Sequence, residues 1–320
     1  MRRPLKVFAW HVHGSWMSAF VRGRHQYLIP VLPGRGPNGL GRAGRPWPAQ
    51  AIEVTPAEAA RAEVDVVVLQ RPQEVHGLAE QWLGGRRPGR DLPAVYLEHN
   101  APQGRLAAMR HVAADRRDLV LVHCTHFNDL FWDAGATPTG VIEHGVVDPG
   151  YRYRGTLARA AVVSNQAQRR WRVTGTDLLA AFAAALPVDL FGIDAERVAV
   201  EGVRPCGDLP LGRLHAAMAR RRVYLHPVRW TSLGLSLLEA MHLGMPVVAL
   251  ATTEVVEAVP RDAGIVSTNV EALTTALREL GEDPERARVM GKHARAAALA
   301  RYGLERFLDD WDRLLAEVTR

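Results

Sequence analysis

The run Arg229-Trp230-Thr231-Ser232-Leu233-Gly234-Leu235-Ser236-Leu237-Leu238-Glu239 gathers the residue types best suited to chemistry in this chain. A loop ending in hydroxyl residues leads into a short apolar helix with a single carboxylate, then a Gly244-Met245-Pro246 stop and the apolar run Val247 to Leu250. The start of such a helix offers free backbone N–H groups and the positive end of the dipole, which suit a phosphate. Glu239, about two turns further along, is placed to accept hydrogen bonds from sugar hydroxyls. This is a plan for holding a sugar nucleotide.

Other candidates are weaker taken singly. Arg169-Arg170-Trp171-Arg172 presents three guanidiniums between a strand and a helix; alone it reads as solvated charge, and beside the helix terminus it reads as a phosphate clamp. His11 and His13 fall on one face of an extended segment, without the carboxylate or cysteine that a metal site would add. At the carboxyl end of a first strand they line a ligand crevice. His99 follows an apolar strand, with Glu98 and Asn100 beside it to orient the imidazole or meet an acceptor. Glu254 and Glu257 cap or solvate a helix, and Asp309-Asp310-Trp311-Asp312 resembles a metal motif but sits opposite an apolar stripe, as solvated charge.

The elements that must position these residues alternate. Strand-like runs occur at Lys6 to Trp10, Val64 to Leu69, Ala94 to Leu97 and Leu119 to Val122, with helical composition at Pro56 to Glu63 and Arg105 to Ala114. Unbroken Val and Leu runs imply strands covered on both faces, as in a parallel sheet. Pro33 to Pro48, with five glycines, four prolines and arginine as its only charged residue type, reads as a mobile loop. A second series starts at Ala160 to Ser164. It continues through a helix Asp177 to Ala185, a strand Val188 to Phe191, a turn-rich Gly202 to Asp208, a helix Leu211 to Arg220 and a strand Val223 to Leu225. Leu304, Phe307, Leu308, Trp311, Leu314, Leu315 and Val318 share one helical face. The expected division is 1–152, 153–302 and a returning helix 303–320.

Composition narrows the classes. The 320 residues, 48% hydrophobic, suffice for two domains with their own cores. The net charge of +6 is spread among arginines rather than gathered in a basic run, which disfavours a nucleic-acid partner and suits a small anion. Two distant cysteines, Cys124 and Cys206, support neither a disulfide framework nor a zinc site, so a reducing cytoplasm is expected. No window approaches the roughly 18 apolar residues of a membrane span, and peripheral membrane contact stays a minor option.

Three segments resemble glycosyltransferase family 4. Leu225-His226-Pro227 through Leu250 is similar to the family's strand, glycine, Leu-Glu-Ala-Met, Gly-x-Pro-Val-Val signature; Val141 to Asp148 is similar to the segment closing its first domain, with His144 where asparagine is usual; Gly175-Thr176-Asp177-Leu178-Leu179 resembles its helix opening after a basic cluster. The resemblance implies the GT-B fold, two Rossmann-like parallel-sheet domains facing a cleft, and a retaining transfer from a nucleoside diphosphate sugar. No cofactor beyond that co-substrate and no metal are implied. Gly14 would let backbone approach the donor phosphates, His99 would face the donor sugar, and Arg170 or Arg172, with Arg169 an alternative, would clamp the diphosphate. Ser232, Leu233, Gly234 and Leu235 would give amides to the distal phosphate, Glu239 would hold the ribose, and the nucleobase would lie near His226-Pro227. The acceptor would be a small molecule, glycan or lipid-linked sugar.

One position departs from the pattern. The family places a second glutamate, which contacts the transferred sugar, where Thr231 stands. Two rival readings follow: an epimerase or hydrolase of sugar nucleotides on the same fold, and a catalytically silent nucleotide-binding module.

Overall fold

The computed structural model describes residues 3–104 and 106–320. They form two units, Met1–Val147 with Leu304–Arg320, and Asp148–Gly303.

The first unit is built on a parallel sheet of seven strands: β1 Lys6–Ala9, β2 Gln26–Pro30, β3 Ala51–Val54, β4 Val66–Leu69, β5 Ala94–Glu98, β6 Val120–His123 and β7 Thr139–Val141. Their order is β3-β2-β1-β4-β5-β6-β7. Every side chain of β4 and β5 is buried, as unbroken apolar runs require when helices cover both faces. The second unit has six parallel strands, β8 Leu157–Val163, β9 Val188–Phe191, β10 Val203–Gly207, β11 Arg221–His226, β12 Val247–Leu250 and β13 Gly264–Ser267, in the order β10-β9-β8-β11-β12-β13. Each sheet reverses its direction of growth once, at β1/β4 and at β8/β11. In open parallel sheets a crevice for ligands opens at the carboxyl ends of the strands at such a point.

Several elements differ from the sequence reading. Strands β2, β3, β13 and β10 were not expected. The last carries Pro205 and reads in sequence as turn, but it lies at the edge of its sheet, where a missing N–H leaves no ladder bond unmade. Arg105 to Ala114 is not the expected helix. Arg105 lies outside the described residues, Leu106–Ala108 form one short 3₁₀ turn, and the His111 N–H bonds Asp133 O (2.9 Å) while the Ala113 N–H bonds His111 Nδ1 (3.0 Å). Those bonds use the donors a helix would need.

The glycine- and proline-rich segment is anchored rather than free. Trp47 is buried and donates Nε1–H to Ser18 Oγ (2.9 Å), Arg71 Nη1 donates to Pro37 O (2.7 Å), and Glu53 accepts from Arg35 (2.7 Å) and from the Arg42 N–H (2.6 Å). The carboxyl-terminal helix Leu304–Val318 packs its stripe on the first unit, with the Trp311 ring 5.6 Å from Trp16 and 5.0 Å from Phe20. Its acids are not simply solvated. Asp312 pairs with Arg24 at 2.6 Å and lies 2.9 Å from His25 Nε2, and Asp310 pairs with Arg306 at 2.8 Å. Glu254 likewise is buried and pairs with Arg301 at 3.3 Å, instead of facing solvent.

Inside the second unit one carboxylate ties three strands to its own. Asp189 on β9 has a fully buried side chain and accepts from Arg159 Nε on β8 (2.5 Å), Arg204 Nη2 on β10 (2.6 Å) and Arg221 Nε on β11 (2.7 Å).

Candidate functional site

In the first unit the carboxyl ends of β1, β4, β5 and β7 carry polar side chains that the apolar strands below them hold in place. His13, four residues past β1, lays its ring 4.1 Å from that of His99, which follows β5; Trp16 meets His99 edge-on at 5.4 Å. His99 Nε2 is 3.0 Å from Gln70 Oε1, and Gln70 Nε2 donates to Trp10 O (2.8 Å). His11 points elsewhere: its Nδ1 is 2.7 Å from Gly41 O and its ring lies against Trp47. The two histidines, two positions apart, therefore serve different neighbours.

These rings are kept neutral. Burial first, then the nearby His13 and His144, hold His99 well below the usual histidine range. Burial with His13 and Arg306 brings His144 down to about 3, and burial lowers His13 as well. A neutral imidazole offers a hydroxyl one N–H and one lone pair and brings no charge. Arg306 donates to the carbonyls of Glu143 (3.2 Å) and His144 (2.6 Å), fixing the segment after β7.

Gly14 opens the helix after β1, but its free face is filled: a Cβ there would collide with the Arg45 guanidinium. A group approaching this backbone meets an arginine from the anchored loop rather than open space.

In the second unit the segment after β8 and the segment after β11 interlock at the sheet's reversal point. Gly175 has a φ of +70°, and any Cβ would strike Pro227 O. Arg229 grips Asp177 with both terminal nitrogens (2.5 and 2.9 Å) and donates to Arg172 O (2.8 Å). Of the three clustered arginines, Arg172 pairs with Asp177 at 3.2 Å while its side chain stays 74% exposed, and Arg169 bonds Gln166. The Arg170 side chain is half-buried and has no hydrogen-bond or acidic partner among the described residues. Burial and then Arg169 lower its pKa, so its charge is uncompensated.

Helix Leu235–Leu243 begins at Gly234, and no side chain caps it. Its first turn therefore keeps donors for an external anion. Ser232 and Leu233, just before it, are buried, and Thr231 is half-buried. Glu239 is 6% exposed with Oε2 3.4 Å from His215 Nε2, and Ser236 Oγ is 2.9 Å from the Tyr224 hydroxyl.

Gln70, His144, Arg45, Asp177, Arg229 and His215 were not singled out as site residues from sequence. A glutamine directly after the run Val66-Val67-Val68-Leu69 was the available signal for the first. The others needed contacts distant in the chain.

Residues 199–297 match the family described as "Glycosyl transferases group 1". No curated protein matches the chain in sequence. Among solved structures it is similar to sucrose-phosphate synthase from Thermosynechococcus elongatus, with a TM-score of 0.75 at 14% identity over 98% of this chain and 99% of that one. It is similar also to Anabaena HepE in complex with UDP (TM-score 0.74, 15% identity, 98% and 100% covered) and to a glycosyltransferase from Rickettsia africae (0.71, 11%, all of both chains).

Proposed function

We propose that the chain, a GT-B glycosyltransferase, moves a glycosyl group from a nucleoside diphosphate sugar to an acceptor hydroxyl with retention at the anomeric carbon. The observation that carries this reading is Arg170, a half-buried guanidinium without an acidic partner among the described residues, at the end of the short helix Ala167–Arg170 in the segment interlocked with the loop leading to the uncapped helix Leu235–Leu243. As the bond from the anomeric carbon to the diphosphate breaks, its electron pair goes to the departing oxygen, which takes up the acceptor hydroxyl's proton as the acceptor oxygen bonds that carbon from the same face. Arg170 and the helix-terminal amides compensate the charge that grows there, so no metal is needed.

In this reading Ser232, Leu233, Gly234 and Leu235 provide the amides, Arg172 adds an outer positive charge, and Glu239 accepts from the ribose hydroxyls while His215 stands beside its other oxygen. Thr231 meets the transferred sugar with a hydroxyl instead of a carboxylate. His99, neutral, accepts a hydrogen bond from a sugar hydroxyl. Strain supports the assignment: Gln166, at the start of the arginine-bearing loop, has a φ of +54°, a conformation costing about 1–3 kcal/mol in a non-glycine residue and concentrated at binding sites. The proposed setting is cytoplasmic; among the described residues no helix is long and apolar enough to cross a membrane.

A uridine diphosphate sugar is the first donor to try, because HepE is described in complex with UDP-glucose. A ligand that binds only the folded state raises stability by about 2.7 kcal/mol at a hundred times Kd. A thermal-shift series over UDP, GDP, dTDP and ADP is expected to show stabilisation by one of them, lost in Glu239→Ala; no stabilisation by any sinks the reading. The Thr231 position favours a second one, isomerisation or hydrolysis of the donor. Donor incubated without acceptor then yields isomerised or free sugar.

A further inference from the structure

We propose that Gln70 is a positioning residue that fixes His99 as the tautomer protonated on Nε2 and leaves Nδ1 as a lone pair for a hydroxyl of the reacting sugars. The assignment follows from what each atom is able to do. Trp10 O only accepts, so the Gln70 group 2.8 Å from it is the NH₂. The other end of the amide, 3.0 Å from His99 Nε2, is then the oxygen, and an oxygen there requires N–H on Nε2. Gln70 cannot turn to reverse this: it is 3% exposed, and its own N–H is held by Glu74 Oε2 at 2.6 Å.

The surroundings of His99 favour the neutral ring. His13 from the β1 loop and His144 from the segment after β7 face it, and both oppose a positive charge there. Glu98, the neighbouring carboxylate, is taken up by the Asn100 N–H (2.6 Å), Asn100 Nδ2 (3.2 Å) and His111 Nε2 (3.1 Å). Trp16 adds an uncharged edge, and Cys124 Sγ engages the His99 carbonyl at 3.5 Å. A fixed carboxylate at position 70 would stabilise an imidazolium, as an acid behind a catalytic histidine does. An amide fixes the same tautomer and adds no charge. His99 is thereby a hydrogen-bond acceptor at Nδ1 and not a resident proton donor.

The use of the lone pair rests on the transfer reading; the tautomer does not. Nitrogen-15 and carbon-13 histidine spectra of the full chain are expected to show His99 as the Nε2–H form, without titration near neutrality. In Gln70→Leu the ring is expected to become a mixture of tautomers, with kcat down about tenfold or more and donor Kd within about threefold. Gln70→Glu restores the Nε2–H form, since a carboxylate and a carboxyl C=O both accept from it. A wild-type ring protonated on Nδ1, or titrating near neutrality, overturns the proposal even if the leucine variant fails to fold, and so does an unchanged tautomer in Gln70→Leu. The Nε2–H form in a protein that binds no nucleotide would uphold Gln70 and sink the transfer reading instead.

Discussion

Arg170→Ala is expected to weaken nucleoside diphosphate binding by about 10- to 100-fold, while Arg172→Ala changes it by less than about threefold. The contrast comes from their surroundings. A charge-assisted hydrogen bond to a phosphate is worth about 1.5–3 kcal/mol, and each 1.4 kcal/mol is a factor of ten. Arg170 is half-buried with its charge uncompensated among the described residues, so it contributes that amount in full. Arg172 is 74% exposed and already paired with Asp177, where solvent screening leaves little to gain. Arg170→Lys should recover only part of the affinity, because an ammonium lacks the planar fork that matches a phosphate. Titration calorimetry of the three variants decides the matter. A larger loss in Arg172→Ala than in Arg170→Ala would show that the clamp had been assigned to the wrong residue.

The largest expected effect on stability belongs to Asp189→Asn. It leaves three guanidiniums facing one another around a neutral amide, and removing one member of a buried ionic cluster costs about 3–5 kcal/mol. The lower end applies, because Arg204 is 54% and Arg159 25% exposed and both can turn toward water, whereas Arg221 cannot. A loss of about 3 kcal/mol lowers the melting transition of the second unit by roughly 6–12 °C. A shift below about 2 °C in calorimetry would refute the cluster's structural role. The same carboxylate predicts a pH dependence. Burial alone would raise its pKa, but hydrogen bonds from Arg204, Arg221 and Arg159 outweigh burial and hold it below the usual range. Its stabilisation is therefore complete above the unfolded carboxyl pKa near 3.9 and is lost as pH falls through the lower folded value. Wild-type protein should lose this contribution in acid, and Asp189→Asn should show a flatter acid limb.

How much of this was legible in sequence depended on how local the cause was. β4, β5 and β12 could be read because an apolar run buried on both faces needs little context. β2 and β3 are as short but border a segment rich in glycine and proline, and their strand identity comes from pairing with β1 and with each other. Arg105 to Ala114 has helical composition, yet Asp133 and the His111 ring take its donors. At the site, the helix opening at Gly234 with Glu239 about one and a half turns on was visible as spacing alone. That Arg170 and not Arg172 lacks a partner was not visible, because it depends on Asp177 being claimed by Arg229, 52 positions later.

By itself the sequence determined the alternation of strand and helix, the parallel sheets and the phosphate-suited helix start, since each follows from periodicity and composition within a window of about ten to twenty residues. Only the tertiary structure decided which arginine is left with an unmatched charge, which acid binds three strands to its own, and which nitrogen of His99 carries the proton. Those three outcomes are set by where hydrogen-bond donors and acceptors from distant segments meet in space, and one-dimensional spacing does not encode such meetings.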